Sequence, residues 1–205
     1  YYPGSIKTGT TSKNNPEFKL TSISKANDLK HEFKHSAESD CEATLSAAKL
    51  IKREVPALWQ SAFMTTSKND VLSVLDKELM CFTTENYGGG PKAHLVSFVL
   101  QHPVYQYPLC FDLRHDCDHY LNISIEHLKE ELKKSPKPIR TIKHSAHPVL
   151  MNPSYLKNIE PYNEIGMETL ISRAKKIKKN KSLAEKISIL KKEEVEEKNQ
   201  SNQLE

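Results

Sequence analysis

The chain lacks the features that define several large classes of protein. Only six glycines occur among its 205 residues, and none belongs to a phosphate-binding loop, a Rossmann fingerprint or the nucleophile elbow of a serine hydrolase. No apolar run approaches the roughly 20 residues of a membrane helix, and no signal peptide is visible. We therefore expect neither a membrane protein nor one of these nucleotide-binding or hydrolase folds.

The chain also has few cysteines and a small net charge. The four cysteines, Cys41, Cys81, Cys110 and Cys117, form no tight spacing pattern, which favours reduced thiols in a cytoplasmic protein. The formal net charge is only +4, so it permits nucleic-acid binding without arguing for it. A hydrophobic content of 37% is typical of a polar globular protein. Because the chain begins at Tyr1 without an initiator methionine, we expect a fragment or a processed product.

Hydrophobic periodicity predicts a mixture of helices and short strands. The first strong helix is Glu38 to Glu54, for which one buried apolar stripe is predicted through Cys41, Leu45, Ala48, Ile51 and Val55. Further helices are predicted over 57–64, 67–79 (with Ser67 and Asp70 as its cap), 124–134, 164–179 and 182–192, and extended segments over 80–84, 93–101, 109–113, 139–143 and 148–151. The fold class is α+β, with a small, partly open antiparallel barrel or sheet decorated by helices.

His35 and Asp40 form the most informative pair, at the point where the first strong helix begins. A loop histidine and a first-turn carboxylate can face one cleft, where the ring accepts a proton from water and the carboxylate holds a metal ion. Ala43, Thr44 and Ala47 would leave room in front of the carboxylate. An ordinary aspartate that complements the helix dipole looks the same in sequence, so both interpretations remain open.

Two further clusters have competing interpretations. A basic stretch, which comprises Arg173, Lys175, Lys176, Lys178, Lys179 and Lys181, could follow a phosphate backbone or could be the solvated face of an amphipathic helix. His115, Cys117, Asp118 and His119 suggest a metal site, with His144 and His147 as distant partners. Zinc sites need four converging ligands, usually in two close pairs, and only one compact cluster exists here. We therefore favour a polar surface turn.

An ordered series of short motifs resembles a known family. The first motifs are Phe18-Lys19-Leu20, Lys25-Ala26-Asn27, His35 followed five residues later by Asp40, and Ala47-Ala48-Lys49-Leu50-Ile51. They resemble the end of the exonuclease domain of bacterial exodeoxyribonuclease I, a member of the DEDDh superfamily. The resemblance covers roughly Pro16 to Ile187 collinearly, through Pro56–Trp59, Phe98–Pro103, Phe111–Leu113, Leu128–Leu132 and His147–Leu150.

The resemblance implies a domain organisation. Residues 1–57 would be the C-terminal part of an RNase H-like α/β exonuclease domain, and residues 58–185 an SH3-like β-barrel domain with helical insertions. Residues 186–205 would be a polar linker or a disordered tail. The family's Asp-x-Glu motif and its middle aspartate would lie upstream of Tyr1.

The resemblance also implies chemistry. The parent protein would be a 3′-to-5′ exonuclease that releases mononucleotides from single-stranded DNA, with two Mg²⁺ ions, or Mn²⁺ in their place. His35 would be the general base and Asp40 a metal ligand, and we expect Asn27, Lys68, Lys92 and Lys143 to contact DNA. A segment with one metal carboxylate should be inactive alone. We expect a monomer that binds single-stranded DNA and, as a family-level partner, single-strand-binding protein. A non-catalytic nucleic-acid-binding module and a DEDDh exoribonuclease are the alternatives.

Overall fold

The structure, a computed structural model, describes residues 4–30, 36–87, 90–155 and 159–203. The chain divides into two compact units, one of Tyr1–Phe63 with Glu85–Lys92 and one of Met64–Thr84 with Ala93–Glu205. In the part of the chain that is described, no helix is long and apolar enough to cross a membrane. The mixture of helix and sheet confirms the α+β class. The SH3-like assignment and the predicted domain boundaries remain predictions.

The first unit is built mainly from helices. A two-stranded antiparallel sheet pairs β1 (Gly9–Thr10) with β2 (Pro16–Glu17). It is followed by α1 (Leu20–Ala26), α2 (Ala37–Glu54) and α3 (Pro56–Phe63). Helix α1 was not predicted, because its sequence carries too few apolar residues for a clear period. The helix predicted over Glu38–Glu54 is confirmed, and it packs against both α1 and α3.

The buried face of α2 differs from the predicted one. Cys41 is exposed and Leu45 is 56% exposed, whereas the buried residues of the helix are Ser39, Ala43 and Leu50. The predicted stripe is therefore wrong at its N-terminal half. The small residues Ser39 and Ala43 are buried in place of the larger Leu45.

The second unit contains most of a four-stranded sheet, of which residues Glu85–Lys92 belong to the first unit. Helix α4 (Lys68–Lys77) precedes β3 (Cys81–Tyr87) and β4 (Gly90–Gln101), and the sheet order is β3-β4-β5-β6 with β5 at Pro108–Asp112 and β6 at Ile139–Thr141. Every residue of β5 is buried, as expected for an inner strand. Its core joins α4, the sheet and the segments that follow β6, through Val71, Leu75, Cys81, Val96, Cys110, Ile142 and Leu150.

Helices complete the second unit. Between β5 and β6 lie α5 (Cys117–Asn122) and α6 (Ile125–Glu131), and the chain ends with α7 (Tyr162–Ile165), α8 (Met167–Lys179) and α9 (Lys181–Gln203). The helix predicted over 164–179 is interrupted at Gly166, whose φ of +81° is a conformation that glycine adopts at little cost. Two single-turn 3₁₀ helices, His144–Ala146 and Pro153–Tyr155, fall between β6 and α7.

The expected polar linker or disordered tail at residues 186–205 is a helix as far as Gln203. Ile187, Leu190 and Val195 are buried along α9. Lys129 of α6 lies 3.4 Å from the Glu193 carboxylate and 3.1 Å from that of Glu197. The prediction of a tail is therefore wrong for the described residues, because tertiary contacts support a helix whose own composition is mostly polar.

Candidate active-site groove and nucleic-acid surface

Asp40 lies on the first turn of α2 beside a groove. The groove has a volume of about 430 Å³ and is lined by Asp40, Cys41, Thr44, Leu45 and Ala48. These positions fall on one face of the helix, so the carboxylate stands at one end of a largely apolar wall. Of the small residues predicted to leave room beside Asp40, Thr44 lines this groove, whereas Ala43 is fully buried.

His35 lies outside the described residues, so the structure places only one member of the predicted catalytic pair. No group of three histidine, cysteine, aspartate or glutamate side chains that could hold a metal ion exists within residues 4–30, 36–87, 90–155 and 159–203. A carboxylate oxygen is the type of ligand that Mg²⁺ and Mn²⁺ prefer. Asp40 thus fits a divalent metal site in chemistry, but it supplies one ligand rather than a set.

Two of the predicted DNA contacts lie on adjoining segments of the second unit. Lys68 is the first residue of α4. The Ser67 hydroxyl caps this helix as predicted, because it accepts a hydrogen bond from the Asp70 N–H at 3.1 Å. Lys143 directly precedes the 3₁₀ turn that contacts α4. Burial lowers the pKa of His144 in that turn, and the positive charge of Lys68 lowers it further. Lys68 therefore lies close to His144, which directly follows the exposed Lys143 in the chain.

The other two predicted DNA contacts have different surroundings. The Asn27 carboxamide accepts the N–H of Lys7 at 3.0 Å and donates to the Lys7 carbonyl oxygen at 2.7 Å. This two-point contact holds the segment before β1 against the end of α1, so the amide already has an internal structural role. Lys92 is exposed at the start of β4, in the first unit.

The basic stretch of α8 is partly used inside the protein. Arg173 donates to the carbonyl oxygens of Leu113 at 2.8 Å and Arg114 at 3.1 Å. Lys178 donates to the carbonyl oxygens of Leu75 at 2.7 Å and Asp76 at 2.8 Å, close to the end of α4. A cation stabilises the negative end of a helix. These side chains therefore stabilise the fold, whereas Lys175, Lys179 and Lys181 are exposed.

The histidine and cysteine cluster after β5 has separate partners. Cys117 is buried at the start of α5, and Asp118 pairs with Lys176 of α8 at 2.5 Å. His119 lies 3.6 Å from the Glu131 carboxylate. The segment that was expected to be a polar turn is a short helix, and its charged residues link α5 to α8 and α6.

Sequence reasoning missed a buried polar network around Asp112, which is fully buried at the end of β5. One carboxylate oxygen accepts the Tyr162 hydroxyl at 2.6 Å, and the other lies 3.0 Å from Arg114 Nε, 2.9 Å from Arg140 Nε and 3.1 Å from His94 Nδ1. Burial alone would raise the pKa of Asp112, but these hydrogen bonds and the arginine charges outweigh it and hold the pKa well below its usual range. An aspartate inside an apolar strand was the signal in the sequence.

The chain is similar to one group of nucleases. No protein-family model matches the chain. The chain is 33% identical over 124 residues to exodeoxyribonuclease I of Haemophilus influenzae, an alignment that covers 57% of this chain and 26% of that protein. It is 40% identical over 63 residues to exodeoxyribonuclease I of Buchnera aphidicola, across 31% of this chain and 13% of that protein. The resemblance to exodeoxyribonuclease I is therefore confirmed.

Solved structures show the same fold. Exonuclease I of Methylocaldum szegediense matches with a TM-score of 0.70 at 20% identity, over 92% of this chain and 43% of that one. E. coli exonuclease I in complex with a dA16 oligonucleotide matches with a TM-score of 0.66 at 22% identity, over the same shares. The chain thus has the fold of part of exonuclease I. It spans about a quarter or less of the curated relatives named above and less than half of these structures.

Proposed function

We propose that this chain is part of a 3′-to-5′ exodeoxyribonuclease that degrades single-stranded DNA. The similarity to exodeoxyribonuclease I over 124 residues carries the proposal. The aligned fold supports it, because the E. coli structure that matches is a complex with a DNA oligonucleotide. In this proposal the protein works in the cytoplasm as a monomer.

The proposed catalytic residues of this chain are His35 and Asp40. His35 would accept the proton of the attacking water, since a neutral imidazole is available near physiological pH. Asp40 would ligate one of two divalent ions, which supply charge stabilisation at the phosphate when they are bound. The groove along α2 would receive the end of the strand beside the Asp40 carboxylate.

Variants of the longer exonuclease test these two roles. His35→Ala and Asp40→Ala should each lower the rate of nucleotide release by on the order of 10³-fold or more, measured with a labelled single strand and Mg²⁺. Glu42→Ala is the control, because Glu42 is exposed on the same helix and should keep its activity. Near-normal activity of the Asp40 variant would refute the assignment of Asp40 as a metal ligand. Near-normal activity of the His35 variant would refute the assignment of His35 as the general base.

The 205-residue segment is proposed to be inactive alone. One carboxylate and one histidine do not supply the ligands of a two-metal site. The segment should release no nucleotides from a labelled strand in Mg²⁺ or Mn²⁺, whereas the longer protein should do so. Robust release by the segment would contradict this proposal.

The basic surface of Lys68, Lys143 and His144 is the proposed strand contact in the second unit. Lys92 is a proposed contact in the first, while the Asn27 amide already holds Lys7. Lys68→Ala and Lys143→Ala should each weaken binding of single-stranded DNA. Each should also reduce the slope of the logarithm of the binding constant against the logarithm of salt concentration by about one. Lys133→Ala is the control, since Lys133 is an exposed lysine that pairs with Glu130. Equal effects of all three variants would count against a defined surface.

Single-strand-binding protein is the proposed protein partner. One matching structure is a complex of exonuclease I with SSB-Ct, with a TM-score of 0.64 at 20% identity over 92% of this chain. A labelled C-terminal peptide of that protein should bind the longer exonuclease in an anisotropy titration, and a scrambled peptide should not. Equal binding of both peptides would count against a specific partner.

A further inference from the structure

His102 occupies an unusual position in the loop between β4 and β5. Its side chain is only 2% exposed, although it lies in a surface turn. The Nδ1 atom accepts hydrogen bonds from the backbone N–H groups of Val104 and Tyr105, both at 3.2 Å. The backbone closes the same loop, because His102 N–H donates to the Tyr107 carbonyl at 2.8 Å and Gln106 N–H donates to the His102 carbonyl at 3.0 Å.

The hydrogen bonds fix the protonation state of the ring. Both backbone groups that point at Nδ1 are donors, so this nitrogen must carry a lone pair, and the neutral ring has its proton on Nε2. Protonation of Nδ1 would place an N–H opposite two other N–H groups. Both hydrogen bonds would then be lost, and the tip of the loop would have to move.

Aromatic rings extend the effect of His102 to the loop surface. Its imidazole lies 4.9 Å from the ring centroid of Tyr105 and 4.6 Å from that of Tyr107, and the two tyrosines stack at 5.9 Å with an interplanar angle of 20°. Val104 is 48% exposed and Tyr105 is 51% exposed. The orientation of these exposed side chains therefore depends on the state of a buried ring.

Charged groups of α9 act on the same ring. Burial lowers the pKa of His102, Lys191 and Lys198 of α9 lower it by charge repulsion, and Glu194 of α9 acts in the opposite direction. Lys191 also donates to Glu194 at 2.7 Å, so the charges of that pair partly cancel. Tyr105 and Tyr107 are the titratable groups that face His102 from its own loop. This environment keeps His102 neutral at physiological pH.

We propose that the loop Pro103–Tyr107 is an acid-sensitive element, which neutral His102 holds closed through Nδ1 and which opens when that nitrogen is protonated. The proposal goes beyond nuclease activity and does not rest on it. It depends on one acceptor atom that serves two backbone donors. Acid would change the display of Val104 and Tyr105 without unfolding the sheet that carries them.

Nuclear magnetic resonance of the ¹⁵N-labelled chain tests the proposal. At pH 7.5 the His102 ring should show the Nε2–H tautomer. During titration from pH 8 to 5, its midpoint should fall below the ordinary imidazole value of about 6.5, and the amide signals of Val104 and Tyr105 should shift with the same midpoint. An Nδ1–H tautomer at pH 7.5, or protonation of His102 without a change in those amide signals, would overturn it.

Two variants distinguish the effect of His102 protonation on the loop from general effects of acid on the chain. His102→Asn keeps an acceptor that can bond the N–H two residues later but does not titrate, so the amide signals of Val104 and Tyr105 should become independent of pH. His127→Asn changes an exposed histidine of α6 and should leave the loop titration unchanged. If His102→Asn fails to fold, the tautomer and midpoint of the unsubstituted chain decide the proposal alone.

Discussion

The buried carboxylate of Asp112 gives the sharpest prediction for stability. It accepts hydrogen bonds from Tyr162 at 2.6 Å and from two arginine side chains at 2.9 and 3.0 Å, and it is fully buried. Removing one partner of a buried charge network costs about 3–5 kcal/mol, since the other charges are left without compensation. Asp112→Asn should therefore lower the free energy of unfolding by about that amount.

Tyr162→Phe provides a graded comparison. It removes the hydrogen bond that Tyr162 donates to Asp112 at 2.6 Å, which is worth about 1.5–3 kcal/mol, and the longer one that Tyr162 accepts from Arg114 at 3.2 Å. The direct contacts between the arginines and Asp112 stay in place. Urea unfolding followed by circular dichroism would measure both variants, with a lower midpoint and an unchanged slope expected. Amide hydrogen exchange along β5 would locate the loss. A change in Asp112→Asn of less than about 0.5 kcal/mol, the size of an ordinary surface substitution, would refute the reasoning.

The pH dependence gives a second test of the same network. Because the pKa of Asp112 in the folded chain lies below its unfolded value of about 3.9, the stability that the carboxylate contributes is complete above that value. It is lost as the pH falls through the pKa of the folded state. The difference between the unsubstituted chain and Asp112→Asn should be constant from pH 5 to 8 and shrink below pH 4. A difference that grows in acid would contradict the assignment.

Three further predictions concern separate parts of the chain. Cys41 is the exposed thiol among the four cysteines. A thiol reagent should therefore modify one cysteine of the native chain quickly and the other three only on unfolding. Rapid modification of two cysteines would contradict this burial pattern. Lys178→Met should cost about 1 kcal/mol in urea unfolding through the lost contacts near the end of α4, whereas Lys179→Met, at an exposed position, should change little. Ile187→Ala should cost about 2–5 kcal/mol, since Ile187 is fully buried in α9. Ile189→Ala should cost less than about 0.5 kcal/mol, because the Ile189 side chain is 49% exposed. Equal effects of the Ile187 and Ile189 substitutions would indicate that this part of α9 is frayed.

Local signals predicted much of the secondary structure. The period of the apolar residues and the Ser67 cap predicted α4. The extended segments predicted over 93–101 and 109–113 correspond to β4 and β5. The length of α9 could not be predicted in the same way. Its part beyond Leu190 is mostly polar, and this part is held by the buried Val195 and by ion pairs from Lys129 to Glu193 and Glu197. Those partners are more than 60 residues apart in the chain, so no local pattern reports them.

The groove of α2 shows why an apolar stripe alone does not identify a core. Leu45 repeats at helical spacing with Ala48, which is the pattern of a buried face, yet Leu45 is 56% exposed and both residues line the groove beside Asp40. Hydrophobic spacing alone does not show that a face packs into a core, because apolar side chains also occur on protein surfaces. A strand end, a further part of the fold or a partner can cover such a face as well as a core can. From the position of Asp40 beside Leu45 and Ala48 and the similarity to exodeoxyribonuclease I, we propose that this stripe faces the substrate.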